Sequence, residues 1–134
     1  MSSRRLGDLD PRMENLARVF LTQCRAAGID ILVTCTYRSP AEQADLYAQG
    51  RTAPGKIVTN AKPGESKHNA KLPDGSAGSQ AFDVVPLRFG KPVWDETDPL
   101  WDQIGAIGIG LGLEWAGHWE HFKEYPHFQL PGDA

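Results

Sequence analysis

Four residues of this chain have side chains that can together hold and use a metal ion. They are His68 in Ser66-Lys67-His68, Asp83 at the end of Ala81-Phe82-Asp83, and Glu124 and His127 in Glu124-Tyr125-Pro126-His127. Two imidazoles and one carboxylate supply three protein ligands for zinc and leave a fourth position for water, the pattern of catalytic rather than structural sites. Glu124 lies three residues before a proposed ligand, where it can take a proton from that water. The chemistry is metal-assisted hydrolysis. Asp83 is followed by Val84-Val85, and a carboxylate inside an apolar strand is costly unless it is paired or metal-bound. Pro126 biases Tyr125 toward extended geometry and argues against a helix through Glu124 and His127. A bend there can turn both side chains into one cleft.

Other residues compete for these roles. His118 and His121 are three apart and can join a cysteine in a different metal set. No Cys-x-x-Cys spacing supports a structural site, and both read as rim or surface residues. Cys24 and Cys35 read as two reduced core thiols, with a disulfide between them as the other option. Arg38 sits just past a strand, where a guanidinium can hold a peptide carbonyl or carboxylate or make an ordinary surface ion pair. Trp115, Trp119 and Tyr125 can wall a cleft or fill a core.

These residues need elements to position them. Asp10-Pro11 opens a first helix, in which Met13, Leu16, Phe20, Cys24 and Ala27 recur at helical spacing before Gly28 stops it. Ile31 to Thr36 reads as a buried strand. Ser39-Pro40-Ala41-Glu42 is a capping box that starts a second helix running to about Gly50. Residues 51 to 80 read mostly as loop, with a short strand at Lys56-Ile57-Val58-Thr59. Ala81 to Leu87 is a strand. Asp98-Pro99 opens a third helix through Trp101, Ile104 and Ile107, loosened by Gly105, Gly108 and Gly110, and His127 to Leu130 is a last strand. Helices mixed with short strands predict an α+β domain around a small central antiparallel sheet flanked by helices.

The 134 residues fit one domain, 1–134, with 40% hydrophobic and 23% charged residues marking a globular chain. A formal net charge of -3 lacks the basic excess of a nucleic-acid binder. The basic start, Met1 to Arg5, is followed by Asp8 and Asp10 rather than an apolar stretch, so no secretory signal peptide is expected. The most apolar run, Ile104 to Leu113, has ten residues and four glycines, short of the roughly 20 that span a membrane. The expectation is a protein without membrane insertion.

Taken in order, the segments Thr36-Tyr37-Arg38-Ser39, Glu42-Gln43, Leu46-Tyr47, Gly50-Arg51-Thr52 and Val58-Thr59-Asn60-Ala61 are followed by Ser66-x-His68, Ala81-Phe82-Asp83 and Glu124-x-Pro126-His127-Phe128. Together they resemble the zinc peptidases that cut peptidoglycan stem peptides. That family includes D-alanyl-D-alanine carboxypeptidases, vancomycin-resistance dipeptidases and the L-alanyl-D-glutamate endopeptidases of phage endolysins, the branch the chain most resembles. The resemblance implies a Hedgehog/DD-peptidase-like fold and one catalytic Zn²⁺ on His68, Asp83 and His127. It further implies Glu124 as general base, Arg38 at the oxyanion, and Ser66, Gln43, Tyr37 and Trp115 on the substrate side.

The implied substrate is a stem peptide, cut at L-Ala-D-Glu, with D-Ala-D-Ala carboxypeptidase action or a non-catalytic, metal-stabilised wall-binding domain as alternatives. A monomer of phage or prophage origin is implied, made in the bacterial cytoplasm and acting on the wall after release. In one respect the chain departs from the family. The aspartate usually follows the first histidine by seven residues, and here the gap is fifteen. The extra eight residues, with Lys71 and Asp74 at the tip, read as a loop on the cleft rim.

Overall fold

The computed structural model describes residues 2–132. Asp10 caps the first helix, α1 (Pro11–Ala26), by accepting from the Arg12 amide. Met13, Ala17, Phe20 and Cys24 form its buried stripe, while Ala27 is the exposed C-cap and not part of the stripe. The chain turns at Gly28 into β1 (Asp30–Cys35). The Ser39 capping box is present in full and starts α2 (Pro40–Ala48). After a long connection come β2 (Ala81–Arg88), β3 (Lys91–Pro92), α3 (Pro99–Gly110), β4 (Glu114–Trp115) and β5 (His127–Gln129). All pairings are antiparallel, in the order β1-β2-β5-β4, with β3 on the far end of β2. Among the described residues no helix is long and apolar enough to cross a membrane.

The sheet separates two chemistries because neighbouring residues on a strand point to opposite faces. Phe82 of β2 lies opposite Phe128 of β5, and their rings stack at 5.6 Å. Phe20 of α1 meets both, at 5.5 and 4.9 Å. Each buried phenylalanine contributes about 1.5–3 kcal/mol by leaving water. The next residues along, Asp83 and His127, are also directly paired and face the other way. On its other side Asp83 pairs with Cys35, just after a bulge between Val33 and Cys35.

Several expectations are corrected. β1 is an edge strand, with Leu32 exposed and only Cys35 fully buried, because β2 flanks it on one side alone. Lys56 to Thr59 is not a strand, since no sheet neighbour reaches it. The extra residues after His68 fold into a small hairpin held by a Lys71–Ala77 bridge and a Leu72 to Ser76 hydrogen bond. Its base pairs with the N-terminal turn, where Ser79 donates to Asp8 and accepts from Asp10. No residue of this hairpin lines the cleft described below. The loop therefore sits against the N-terminus and not on the rim.

Gly105 and Gly108 do not loosen α3. They let it approach the sheet, because a Cβ on Gly105 would lie 2.3 Å from the Trp115 ring and one on Gly108 2.5 Å from Phe128. Gly105→Ala should therefore destabilise by about 1–3 kcal/mol despite its better helix propensity. Gly110→Ala, whose Cβ meets nothing within 4 Å, should stabilise by up to about 1 kcal/mol. Urea unfolding of the two variants checks this, and equal gains from both would rule out the close approach.

Candidate metal centre and cleft

Asp83 supplies the carboxylate at the centre of the sheet, and β5 places His127 beside it. His68 arrives from a different direction, on a single 3-10 turn (Lys67–Asn69) capped by the Ser66 hydroxyl, which accepts from the His68 amide. That turn is cross-linked to the end of β1. The Arg38 amide donates to the His68 carbonyl at 2.9 Å, and the Asn69 side chain donates to the Arg38 carbonyl at 2.7 Å. The N-terminal segment holds the same strand end, through a Thr36 to Ser3 backbone bond and the Thr36 hydroxyl on the Arg5 carbonyl.

Three inner atoms converge. His68 Nε2 lies 3.0 Å from Asp83 Oδ1, His127 Nδ1 lies 3.1 Å from the same oxygen, and the two nitrogens are 3.2 Å apart. Tetrahedral zinc with bonds of about 2.0–2.1 Å needs ligand atoms roughly 3.3–3.4 Å from one another. The outer nitrogens are spoken for. His68 Nδ1 donates to the Thr36 carbonyl at 2.7 Å, and His127 Nε2 donates to Gln129 Oε1 at 2.8 Å. Those acceptors hold the outer protons in place, so each imidazole offers its inner lone pair to a metal once the inner nitrogen has given up its proton. The donor set and its spacing fit zinc.

Cys35, His68 and Asp83 also have ligand atoms within 4.8 Å of one another. Cys35 Sγ, however, approaches His68 at Nδ1, 3.6 Å away, the edge of the ring already used by Thr36. His118 and His121 are exposed and belong to no such group among the described residues. Cys24 is a buried free thiol on the other side of the sheet, and burial pushes it up to about 12.

The electrostatics follow from packing. Burial opposes charge on His68, but the Asp83 charge and hydrogen bond outweigh it, with Cys35 adding, and the imidazole is pushed up to about 10. Burial likewise opposes charge on Asp83, and His68 and His127 overcome it, holding the carboxyl well below its usual range. Glu124 is shifted upward, by burial first, with His127 opposing and the Asp83 charge adding. Its turn is built by a His127 to Glu124 backbone bond and a Glu124 to Ala116 bond. Trp115 lies beneath that turn, buried and donating to the Tyr125 carbonyl at 2.8 Å. It is a core residue, and the cleft side of this wall is Trp119, whose ring is 5.6 Å from that of His127.

A cleft of ≈ 630 Å³ opens over the three ligand atoms and is lined by Arg38, His68, Asp83, Glu124 and His127. Arg38 is not a surface ion pair. Its Nη1 donates to Gln43 Oε1 at 3.0 Å, Nη2 lies 3.7 Å from Asp83, and Nε is buried without a partner. Ser66 lines the cleft as well as capping the turn. Gln43 is fully buried, its amide nitrogen on Thr59 Oγ1 and the Ala61 carbonyl, so it supports Arg38 and does not face a ligand. Tyr37 is half-buried and outside the cleft lining. Thr36 and Gln129 are the additions that sequence reading missed, because their signal is only a common acceptor near a histidine.

A family model described as D-alanyl-D-alanine carboxypeptidase matches residues 59–130, and a second with the same description matches 7–74. The peptidoglycan L-alanyl-D-glutamate endopeptidase CwlK of Bacillus subtilis is 37% identical over 92% of this chain and 74% of its own. The chain belongs to the zinc peptidase family of D-alanyl-D-alanine carboxypeptidases and L-alanyl-D-glutamate endopeptidases.

Solved structures of this family share its fold. The Serratia marcescens L-Ala D-Glu endopeptidase ChiX has a TM-score of 0.64 at 20% identity, over 98% of this chain and 89% of that one. The vancomycin-resistance D,D-pentapeptidase VanY, solved with Zn(II), has a TM-score of 0.60 at 14% identity, over 92% of this chain and 73% of that one. Zinc is typical of this family.

The outer hydrogen bond to His127 has a measurable consequence. Gln129→Ala should weaken zinc binding about 10–100-fold, whereas Cys35→Ala should leave it near the parent value. Competition with a chromophoric chelator reads both, and the reverse order would move the site to the cysteine side of His68.

Proposed function

We propose that this protein is a zinc-dependent endopeptidase that cuts the L-Ala-D-Glu bond of peptidoglycan stem peptides, as a monomer and without nucleic acid. The observation that carries the reading is the identity to the Bacillus subtilis enzyme of that activity across nearly the whole chain, joined to a cleft lined by Arg38, His68, Asp83, Glu124 and His127. His68, Asp83 and His127 hold the ion in this reading. Zinc bound there supplies a Lewis acid for a peptide carbonyl and lowers the pKa of water at the site.

The chain's own residues do the rest. Glu124, half-buried in the cleft with its pKa shifted upward, takes a proton from the attacking water and returns it to the leaving amine. Arg38 is held in place by Gln43 and Asp83, and it lines the cleft with guanidinium N–H donors left over from those contacts. Those donors meet the oxygen on which negative charge develops, usually the larger contribution to rate. Thr36 and Gln129 keep both imidazoles turned inward. A purely structural metal site would need no carboxylic acid beside it, which favours the enzyme over a silent wall-binding domain. An endolysin-like role in wall lysis, with phage or prophage origin, is the wider form of this reading.

The family-model description favours a second bond choice, release of a terminal D-Ala. Two synthetic stem peptides separate them, one ending in D-Ala-D-Ala and one ending before it. Mass spectrometry should find the L-Ala-D-Glu bond cut in both, and release of D-Ala alone, from the longer peptide only, would overturn the choice. Within the same assay Glu124→Gln should retain zinc yet lose activity by about 10²–10⁴. Near-parent turnover in that variant would remove Glu124 from the chemistry.

A further inference from the structure

Residues 56–62 run without turn or bend beside the metal centre, yet they belong to no sheet. Over the middle of the segment Val58 is exposed, Thr59 buried and Asn60 exposed, while Ile57 before them is exposed as well. Main-chain groups on the Thr59 and Ala61 side are partly used within the fold. The Thr59 carbonyl accepts from Arg51 Nη1 at 3.0 Å and the Ala61 carbonyl from Gln43 at 2.8 Å, while the Ala61 amide donates to the Thr59 hydroxyl. Among the described residues, the amides and carbonyls of Val58 and Asn60 have no partner in the protein. In an extended chain, alternate residues present their N–H and C=O groups to the same side. Val58 and Asn60 thus form one free edge, and both line the cleft that also holds Arg38 and Glu124.

The segment is also braced as a strand in a sheet would be. Gln49 donates to the Lys56 carbonyl, and Arg51 holds Asn60 Oδ1 while its guanidinium lies over the Tyr47 ring at 3.9 Å. Gly50, at φ +81, lets the turn after α2 touch the Ile57 backbone, where a Cβ would come within 2.6 Å of the amide nitrogen. All of these braces come from α2 and the turn that follows it. They preorganise an edge that the fold itself leaves unpaired.

We propose that the substrate peptide binds as an added strand along Val58–Asn60, exchanging main-chain hydrogen bonds with these two residues. Such an edge gives affinity through the backbone of an extended peptide, and its place beside the metal centre aligns the scissile carbonyl with Arg38. The inference rests on the peptidase reading and adds the groups that position the peptide. The brace residues Gln43 and Arg51 are positioning residues in this account.

The test has two readouts on a protein first shown to cleave the stem peptide. With an uncleavable analogue, whose scissile amide is replaced by a methylene-amine, NMR amide exchange should slow at Val58 and Asn60. Asn60→Pro, which removes one of the donating amides, should raise KM about tenfold over Asn60→Ala with kcat and zinc content similar in the two, the scale of one lost hydrogen bond. Unchanged exchange at both amides of the bound analogue, or equal KM in the two variants, overturns the added strand. If the proline variant does not fold, the exchange measurement on the parent decides. Should the parent protein cleave no stem peptide at all, it is the peptidase reading that fails.

Discussion

The Asp83 carboxylate, set among apolar residues on the central strand, is the constraint around which this structure is arranged. An ionised carboxylate in such a place is stable only with compensating charge and donors. The antiparallel register supplies His127 on one side, the 3-10 turn brings His68 over the strand, and Arg38 approaches the second oxygen from the end of β1. Two lone-pair nitrogens and an anionic oxygen about 3 Å apart repel one another unless a cation or shared protons lie among them. A divalent ion satisfies all three at once, and binding it is coupled to loss of those protons.

The remaining architecture keeps that cluster from relaxing. Behind the sheet, Phe20, Phe82 and Phe128 pack α1 against β2 and β5, and the glycines of α3 admit Trp115 and Phe128 at short range. Trp115 in turn secures the backbone of the turn that carries Glu124. In front, α2 holds Arg38 through Gln43, and the turn after it braces the 56–62 segment through Gln49, Gly50 and Arg51. One face of the sheet is thus committed to apolar packing and the other to polar side chains, with α2 and the turn after it connecting Arg38 to the cleft wall.

Much of this was legible from the residues alone. Asp83 inside an apolar run stands out, Glu124 and His127 draw attention only in combination with it, and the caps at Asp10, Ser39 and Asp98 place the three α-helices. What could not be read depends on partners distant in sequence. A β-branched run looks the same on an edge as in the centre, which is why β1 read as buried and 56–59 as a strand. Gly105 and Gly108 read as weak points because nothing local announces Trp115 and Phe128 across the interface. Gln129 and Thr36 escaped notice because acceptors of their kind occur everywhere, and only the fold shows which ones meet a histidine. The hairpin after His68 could be counted but not placed, since its anchor is the N-terminal turn.

The central claim is that zinc sits between His68 Nε2, Asp83 and His127 Nδ1, on the inner side of both rings. X-ray absorption at the zinc edge of the metal-loaded protein tests it most directly. The account predicts one zinc per chain in a shell of nitrogen and oxygen only, at about 2.0–2.2 Å. A sulfur scatterer at about 2.3 Å would place Cys35 in the shell and contradict it.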